Sequence, residues 1–430
     1  MAFVALLLKV IGLGIILLLS QYALAYLRSP LRKIPGPFFA KFSNIWRFLD
    51  HYSQTHIETQ KKLHEKYGDI VRLGPTTVSI ADPSLIKTIY NTRGTFVKSD
   101  YYSVNDALSN GHILQNIFST RSNDFNARAK KPVQKLYGLQ NAMQLESLMD
   151  DDVRVFCSEL ESRFMQGDNK GKTCDIADWI SYFAWDFLGH MTWSKRIGFM
   201  EKGEDVGGML KTAENVMRYF SVVGQIPALD KWLGKNPYLP ASLYKFDDFS
   251  VAAGFSVERF MERMQNPELN KGKKDFLAGF LEAKEESPEL ILGGADTLAV
   301  VIKALFYYLL KTPSAKAKLT AELRAANLSF PAPYKSLEHL PYLNACVSEA
   351  LRIHPVVGHI FERVVPSAGL SVSLSSSNNH NNNGASTAST TVHLPPGTIV
   401  GVNPWVIHSL PSIFGASPLN LHARALAPRR

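Results

Sequence analysis

Apolar residues recur along most of this chain three or four positions apart, the spacing of helices that bury one face. Thr55 to Tyr67 carries Ile57 and Leu63 among charges, and Gly68 closes the run. Pro83 to Tyr90 is a short helix of the same kind. Longer amphipathic stretches cover about 124–138, 141–166, 176–193, 205–222 and 241–265, with Pro227, Pro237 and Pro240 between the last two. Ser287-Pro288-Glu289 places a capping serine before a proline in the first helical position. The helix it opens runs to about Leu310, where Thr312-Pro313 stops it. Further helices are expected at about 314–326 and from near Tyr342. Alternation is confined to short runs. Ile70–Leu73 and Thr76–Ile80 flank Gly74-Pro75 as a hairpin, and Leu370–Leu374 and Thr391–Leu394 are strand-like. The fold class read from this pattern is mainly α with small β-sheets.

Two segments depart from it. Residues 2 to 27 are almost wholly apolar, interrupted by Lys9 and softened by Ser20 and Gln21. As a helix they would span about 39 Å, enough for a bilayer. Arg28, Arg32 and Lys33 follow, so residues 1–28 are expected to be a single-pass transmembrane anchor with the remainder in the cytosol. A cleaved signal peptide is the alternative, suggested by Ala23-Leu24-Ala25 and opposed by the apolar run Phe3 to Leu8. Residues 29–37, ending in Ile34-Pro35-Gly36-Pro37, are expected to be a stiff, non-helical linker. Residues 374–391, rich in serine, asparagine and threonine, read as a disordered low-complexity insert within a hairpin. Nothing there fixes His380 as a ligand.

The bulk composition narrows the class. Hydrophobic residues at 46% and charged residues at 20% indicate a globular chain, and 430 residues suffice for one large domain or two ordinary ones. The formal charge of +9 is spread along the length with no basic block interleaved with aromatics. That favours a membrane or a protein partner over nucleic acid. Cys157, Cys174 and Cys346 have no metal-ligand spacing and form no disulfide framework, which favours a reducing compartment.

Two motifs carry the chemistry. Ser348-Glu349-Ala350-Leu351-Arg352-Ile353-His354-Pro355 sets Glu349 and Arg352 on one face of a helix that ends before a proline. Alone, such a pair is usually a surface ion pair worth under about 1 kcal/mol. Here Cys346, Val347, Ala350, Leu351 and Ile353 make its surroundings apolar. About fifty residues earlier, Gly293-Gly294-Ala295-Asp296-Thr297 interrupts an apolar helix. Glycine in a helix costs roughly 1 kcal/mol against alanine, so the helix is thin or bent there, and a plain kink is the simplest account. In this order, the two runs resemble the cytochrome P-450 family of haem-thiolate monooxygenases.

The resemblance covers about residues 35 to 415, and residues 38–415 are expected to form the cytochrome P-450 domain. It implies reductive splitting of dioxygen and insertion of one oxygen atom into a lipophilic substrate. Haem b would be the cofactor, and electrons would come from a membrane-bound, NADPH-dependent cytochrome P-450 reductase. Gly293 and Gly294 would let the helix approach the haem. Thr297 would relay protons, with Asp296 linking it to solvent. Lys130, in Asn126-Ala127-Arg128-Ala129-Lys130-Lys131, and Arg363, in Phe361-Glu362-Arg363-Val364, would hold the haem propionates. Asn126 stands where the family usually has tryptophan or histidine, and a solvated basic face is the plainer account of this run. Glu349 and Arg352 would brace the core. Tyr182 to Phe187, Ser194 to Phe199 and Gly401 to His408 are similar to the fungal branch of pisatin demethylase-like enzymes. The resemblance places the protein at the endoplasmic reticulum membrane.

Several positions depart from the family pattern. Leu298 replaces a hydroxyl residue, and Glu285-Glu286-Ser287-Pro288 lies only a few residues before Gly293. The Pro-Glu-Arg partner of Glu349 and Arg352 is unmatched, Pro428-Arg429-Arg430 being a late echo, so the pair is expected to be under-satisfied. The loop Phe-x-x-Gly-x-Arg-x-Cys-x-Gly, which carries the iron-ligating thiolate, is also unmatched. None of the three cysteines has that context, no metal ligand is assigned, and residues 416–430, His422 included, read as an unrelated tail. The expectation is a truncated domain, incomplete on the haem-ligand side and inactive. The alternatives are a membrane-tethered, non-catalytic binder of lipophilic ligands, or a chain that does not fold stably.

Overall fold

The computed structural model describes residues 2–91, 94–109, 112–236, 250–282, 295–374 and 390–415. Helices take up 62% of the described residues, as the spacing of apolar residues predicts. Their ends have local causes. The His56–Tyr67 helix stops at Gly68, whose N–H makes the last helical bond to the His64 carbonyl and whose φ of 88° turns the chain away. The Ile176–Trp193 helix starts where the Asp175 carboxylate accepts the Ala177 N–H. The Pro341–Ile353 helix begins on a proline and cannot continue through Pro355. The stretch expected to be helical from 205 begins instead at Met209, because Gly207 takes φ 61° in the preceding turn.

Contacts divide the chain into two compact units, one made of residues 1–123, 219–238 and 357–410, the other of 124–218, 239–356 and 411–430. The first contains every described strand. β1 (Ile70–Arg72) and β2 (Thr77–Ile80) form the expected hairpin around Gly74-Pro75, with Ile70 opposite Ile80. β3 (Val97–Lys98) follows, then a separate hairpin of β4 (Ala107–Ser109) and β5 (His112–Leu114) that the hydropathy pattern did not signal. β6 is Arg363–Val364. β7 (Leu370–Leu374) pairs with β8 (Thr390–Leu394), Leu374 facing Thr390. Residues 374, 390 and 391, assigned to the insert, are therefore paired strand, as β-branched threonine allows. Residues 375–389 lie outside the description. β9 (Ile399–Gly401) completes a five-stranded sheet of order β1-β2-β9-β6-β3, in which β2 and β9 run parallel.

Ile70, Val78, Ile80, Leu370, Val372, Leu394 and Val400 pack into one core, and Leu31 and Ile34 are buried in it. The 29–37 segment is thus stitched to the body rather than standing free as a linker. The Arg72 N–H donates to the Pro35 carbonyl at 2.7 Å, and Arg72 Nη2 reaches Ser29 Oγ at 3.2 Å. Its prolines keep it non-helical, as expected.

The second unit is helical. Trp185, Phe199, Met209, Ala213 and Ala252 form one cluster, and Leu319, Ala345 and Cys346 another. The buried Asp186 carboxylate accepts the N–H groups of Gly198, Phe199 and Met200 at 2.7, 3.1 and 2.8 Å, fixing the turn after the Ile176–Trp193 helix. The helix expected from Ser287 is described from Ala295 to Lys311. Its earlier part lies outside the described residues, as do 237–249 and the tail from 416.

Residues Ala2–Arg28 form one helix of 27 residues. Part of its side chains fall outside the description, and over the described residues no single helix is long and apolar enough to cross a membrane.

Candidate functional site

The richest polar arrangement of the first unit surrounds Glu362 and Arg363. Neighbours in an extended segment point to opposite faces, so the two side chains diverge. Glu362 is buried: Oε1 accepts Arg47 Nη2 at 2.5 Å, and Oε2 accepts the Ser99 hydroxyl. Arg47 Nη1 also donates to Thr77 Oγ1 at 3.0 Å. Arg47 comes from the Ile45–Tyr52 helix, which is amphipathic the wrong way round. Ile45, Leu49 and Tyr52 are 55%, 56% and 59% exposed, while Arg47 and His51 are buried.

On the other face, the Arg363 guanidinium lies between the rings of Tyr90 and Tyr102, 5.2 and 5.7 Å from their centroids. Nη1 donates to the Tyr102 hydroxyl at 3.2 Å and to the Glu362 carbonyl at 2.9 Å. Among the described residues, Nε and Nη2 keep their donors open, a fork suited to a carboxylate. Tyr90 donates to the Phe361 carbonyl at 2.9 Å and accepts the Val402 N–H at 2.8 Å. Burial pushes both phenols above their ordinary range, so they remain protonated donors.

Histidines lie close by. His51 and His56 stack with centroids 4.1 Å apart, and His359 packs against Tyr101 at 4.9 Å. Burial lowers all three pKa values, that of His359 to about 3, helped by nearby His56 and Arg47. His64 is lowered to about 4, chiefly by burial. Its Nδ1 is 2.9 Å from the Gly68 carbonyl and its Nε2 is 2.8 Å from the Ser79 hydroxyl, which suits a neutral ring donating from Nδ1. A folded-state pKa below the unfolded one contributes stability above pH 6.5 and loses it as pH falls toward the folded value. The His64 shift alone corresponds to about 3 kcal/mol. The unfolding midpoint is therefore expected to fall between pH 6.5 and 4, and His64→Gln to flatten that slope. Parallel pH profiles of the two proteins would refute the assignment.

In the second unit, Glu349 and Arg352 meet as a bidentate pair, Nε to Oε2 and Nη2 to Oε1, both at 2.7 Å. They are 1% and 6% exposed. The Phe414 ring lies 4.7 Å from the guanidinium carbon. The pair expected to be under-satisfied thus makes two hydrogen bonds within one helical turn, with an aromatic ring over the guanidinium. Thr297 lies exposed in the first turn of its helix. The side chain of Asp296, and Gly293 and Gly294 altogether, lie outside the description. Lys130 is exposed in the last turn of the Asn123–Val133 helix.

All three cysteines have their thiol pKa raised. Burial, with Glu322 and Glu349 nearby, pushes the Cys346 thiol up to about 11. Cys157 and Cys174 are raised too, by burial and then by Glu161 and Asp175 respectively. None is poised as a thiolate. The open donors of Arg363 fit the carboxylate end of a haem, and none of these thiols lies in the same compact unit as Arg363. Sequence reasoning missed Arg47, Tyr90, Tyr102 and Ser99. Glu362 stood in a quoted run, but nothing in that run marked it as buried.

Comparison with known proteins bears on the whole chain. Residues 34–420 match the family model described as Cytochrome P-450. A cytochrome P-450 monooxygenase of Aspergillus terreus is 33% identical over 94% of this chain and 82% of its own length. The cytochrome P-450 monooxygenase asR2 of Sarocladium schorii is 33% identical over 92% of this chain and 78% of its own. The cytochrome P-450 monooxygenase pkfB of Emericella nidulans is 35% identical over 92% and 77%. A family match of that extent, joined to relatives identical at a third of positions across nine-tenths of the sequence, means that the chain belongs to the cytochrome P-450 family.

Proposed function

We propose that this chain is the body of a membrane-associated, haem-dependent monooxygenase that oxidises a lipophilic substrate with dioxygen and electrons from an NADPH-dependent reductase. The observation that carries it is Arg363, framed by two tyrosines with two N–H donors open, in a chain matched to the family along its length. Haem, when bound, supplies the iron that activates oxygen. Arg363 holds a haem carboxylate in this reading, and Lys130 is the second cation. Thr297 and Asp296 form the proton-handling pair, and Glu349 with Arg352 braces their unit.

Support for a membrane comes from the Ala2–Arg28 helix and from an outward apolar face. Phe38, Phe39, Ile45, Leu49 and Tyr52 are all exposed within sixteen residues of the linker's end. Arg28, Arg32 and Lys33 support a cytosolic body, and the endoplasmic reticulum is taken from the family resemblance. Alkaline extraction of membranes from expressing cells should leave the protein in the pellet. Its release into the supernatant would remove the anchor from the proposal.

The sequence context of the three cysteines, none of which sits in a glycine-rich Phe-x-x-Gly-x-Arg-x-Cys-x-Gly run, favours a second reading, in which these 430 residues bind lipophilic ligands without turnover. A spectrum of the reduced, carbon-monoxide-bound protein separates the two. Without a thiolate from Cys157, Cys174 or Cys346, no thiolate-type Soret band is expected. Appearance of that band, with NADPH-driven turnover, would refute the assignment of the cysteines and sustain the enzyme.

A further inference from the structure

We propose that Glu362, held by Arg47 and Ser99, is a positioning residue that aims the Arg363 guanidinium at a carboxylate and keeps its charge available. The inference rests on reading Arg363 as an anchor for a cofactor carboxylate. Two features of the geometry lead to it. The first is mechanical. The 361–363 backbone is pinned at successive groups: the Phe361 carbonyl by Tyr90, the Glu362 side chain by Arg47 and Ser99, and the Glu362 carbonyl by Arg363 itself. A long side chain that must present two N–H groups at a fixed angle gains from such a base.

The second feature is electrostatic. Glu362 is the acid next to Arg363 in the chain, and unpaired it would be an internal competitor for that cation. Arg47 pairs with it at 2.5 Å on the opposite face. The three charges sum to one positive charge, and the open donors lie on Arg363. Lys98 adds to the same side, its Nζ 5.3 Å from the Tyr102 ring. The result is a preformed anion site whose internal counterion is already satisfied.

The test uses the full chain in detergent and two metal-free probes, protoporphyrin IX and its dimethyl ester, followed by porphyrin fluorescence. Their affinity ratio reports carboxylate recognition and cancels changes in apolar contact, and no iron ligand is needed. The wild type should prefer the diacid by at least about tenfold, and Arg363→Gln should remove most of that preference, Lys130 sustaining the remainder. Ser99→Ala and Glu362→Gln should reduce it about three- to tenfold at unchanged far-ultraviolet circular dichroism. If Glu362→Gln fails to fold, Ser99→Ala, which removes a single hydroxyl, carries the test. Full preference in folded Ser99→Ala, with loss in Arg363→Gln, would overturn the positioning role and leave the anchor standing. Equal binding of both porphyrins by the wild type would overturn both.

Discussion

Glu349→Ala is expected to remove about 3–5 kcal/mol of stability, because it leaves the Arg352 guanidinium buried without its carboxylate. The π face of Phe414 offsets only part of that loss. Arg352→Ala should cost a similar amount for the mirror-image reason. Replacing both residues by methionine should cost much less, since no unpaired charge remains. Urea midpoints of the three variants measure this directly. A wild-type midpoint for Glu349→Ala would show that the pair is not bracing its unit. Additive single losses in the double variant would show that the two side chains do not act together.

Gly36→Ala is the second large effect. A Cβ at this position would lie 2.2 Å from the Arg72 carbonyl oxygen, 3.0 Å from its carbon and 3.2 Å from its Cα. Those atoms are the backbone of β1, the edge strand of the five-stranded sheet, and Pro35 and Pro37 deny the segment the freedom to slide away. Overpacking of this kind costs about 1–3 kcal/mol, and the rigid surroundings place it at the upper end. Gly74→Ala is the informative contrast. Its nearest obstacle is the Asn44 side chain at 2.5 Å, which can rotate, so a smaller loss is expected. Thermal unfolding that ranks Gly74→Ala as the more damaging would contradict the docking of the 29–37 segment.

Helices were legible where one face carries the apolar residues and the ends carry capping chemistry, as at His56–Tyr67 with Gly68 or at Pro341–Ile353. The five-stranded sheet was not. β6 is two residues long, and β2 pairs with β9 across most of the chain, so no local pattern announces either. The Ile45–Tyr52 helix was hidden for a different reason. Periodicity shows that Ile45, Leu49 and Tyr52 oppose Arg47 and His51, but only tertiary structure decides that the charged face is the inner one. The site divides the same way. Glu349 and Arg352 announce themselves by spacing, because their partnership lies within a single turn. Arg47 and Glu362 are 315 positions apart, and neither carries a local signal of the other.

The burial of Leu31 and Ile34 bears on how the body would ride at a bilayer. Only Ser29 and Pro30 separate the end of the Ala2–Arg28 helix from the first buried side chain, a reach of roughly 10 Å at most. So short a joint gives no slack. A lipid-embedded helix would act as a mast rather than a leash, setting the pitch of the body through covalent geometry. Flexible residues inserted between Arg28 and Leu31 would convert the mast into a leash, leaving the fold intact while releasing the orientation it imposes.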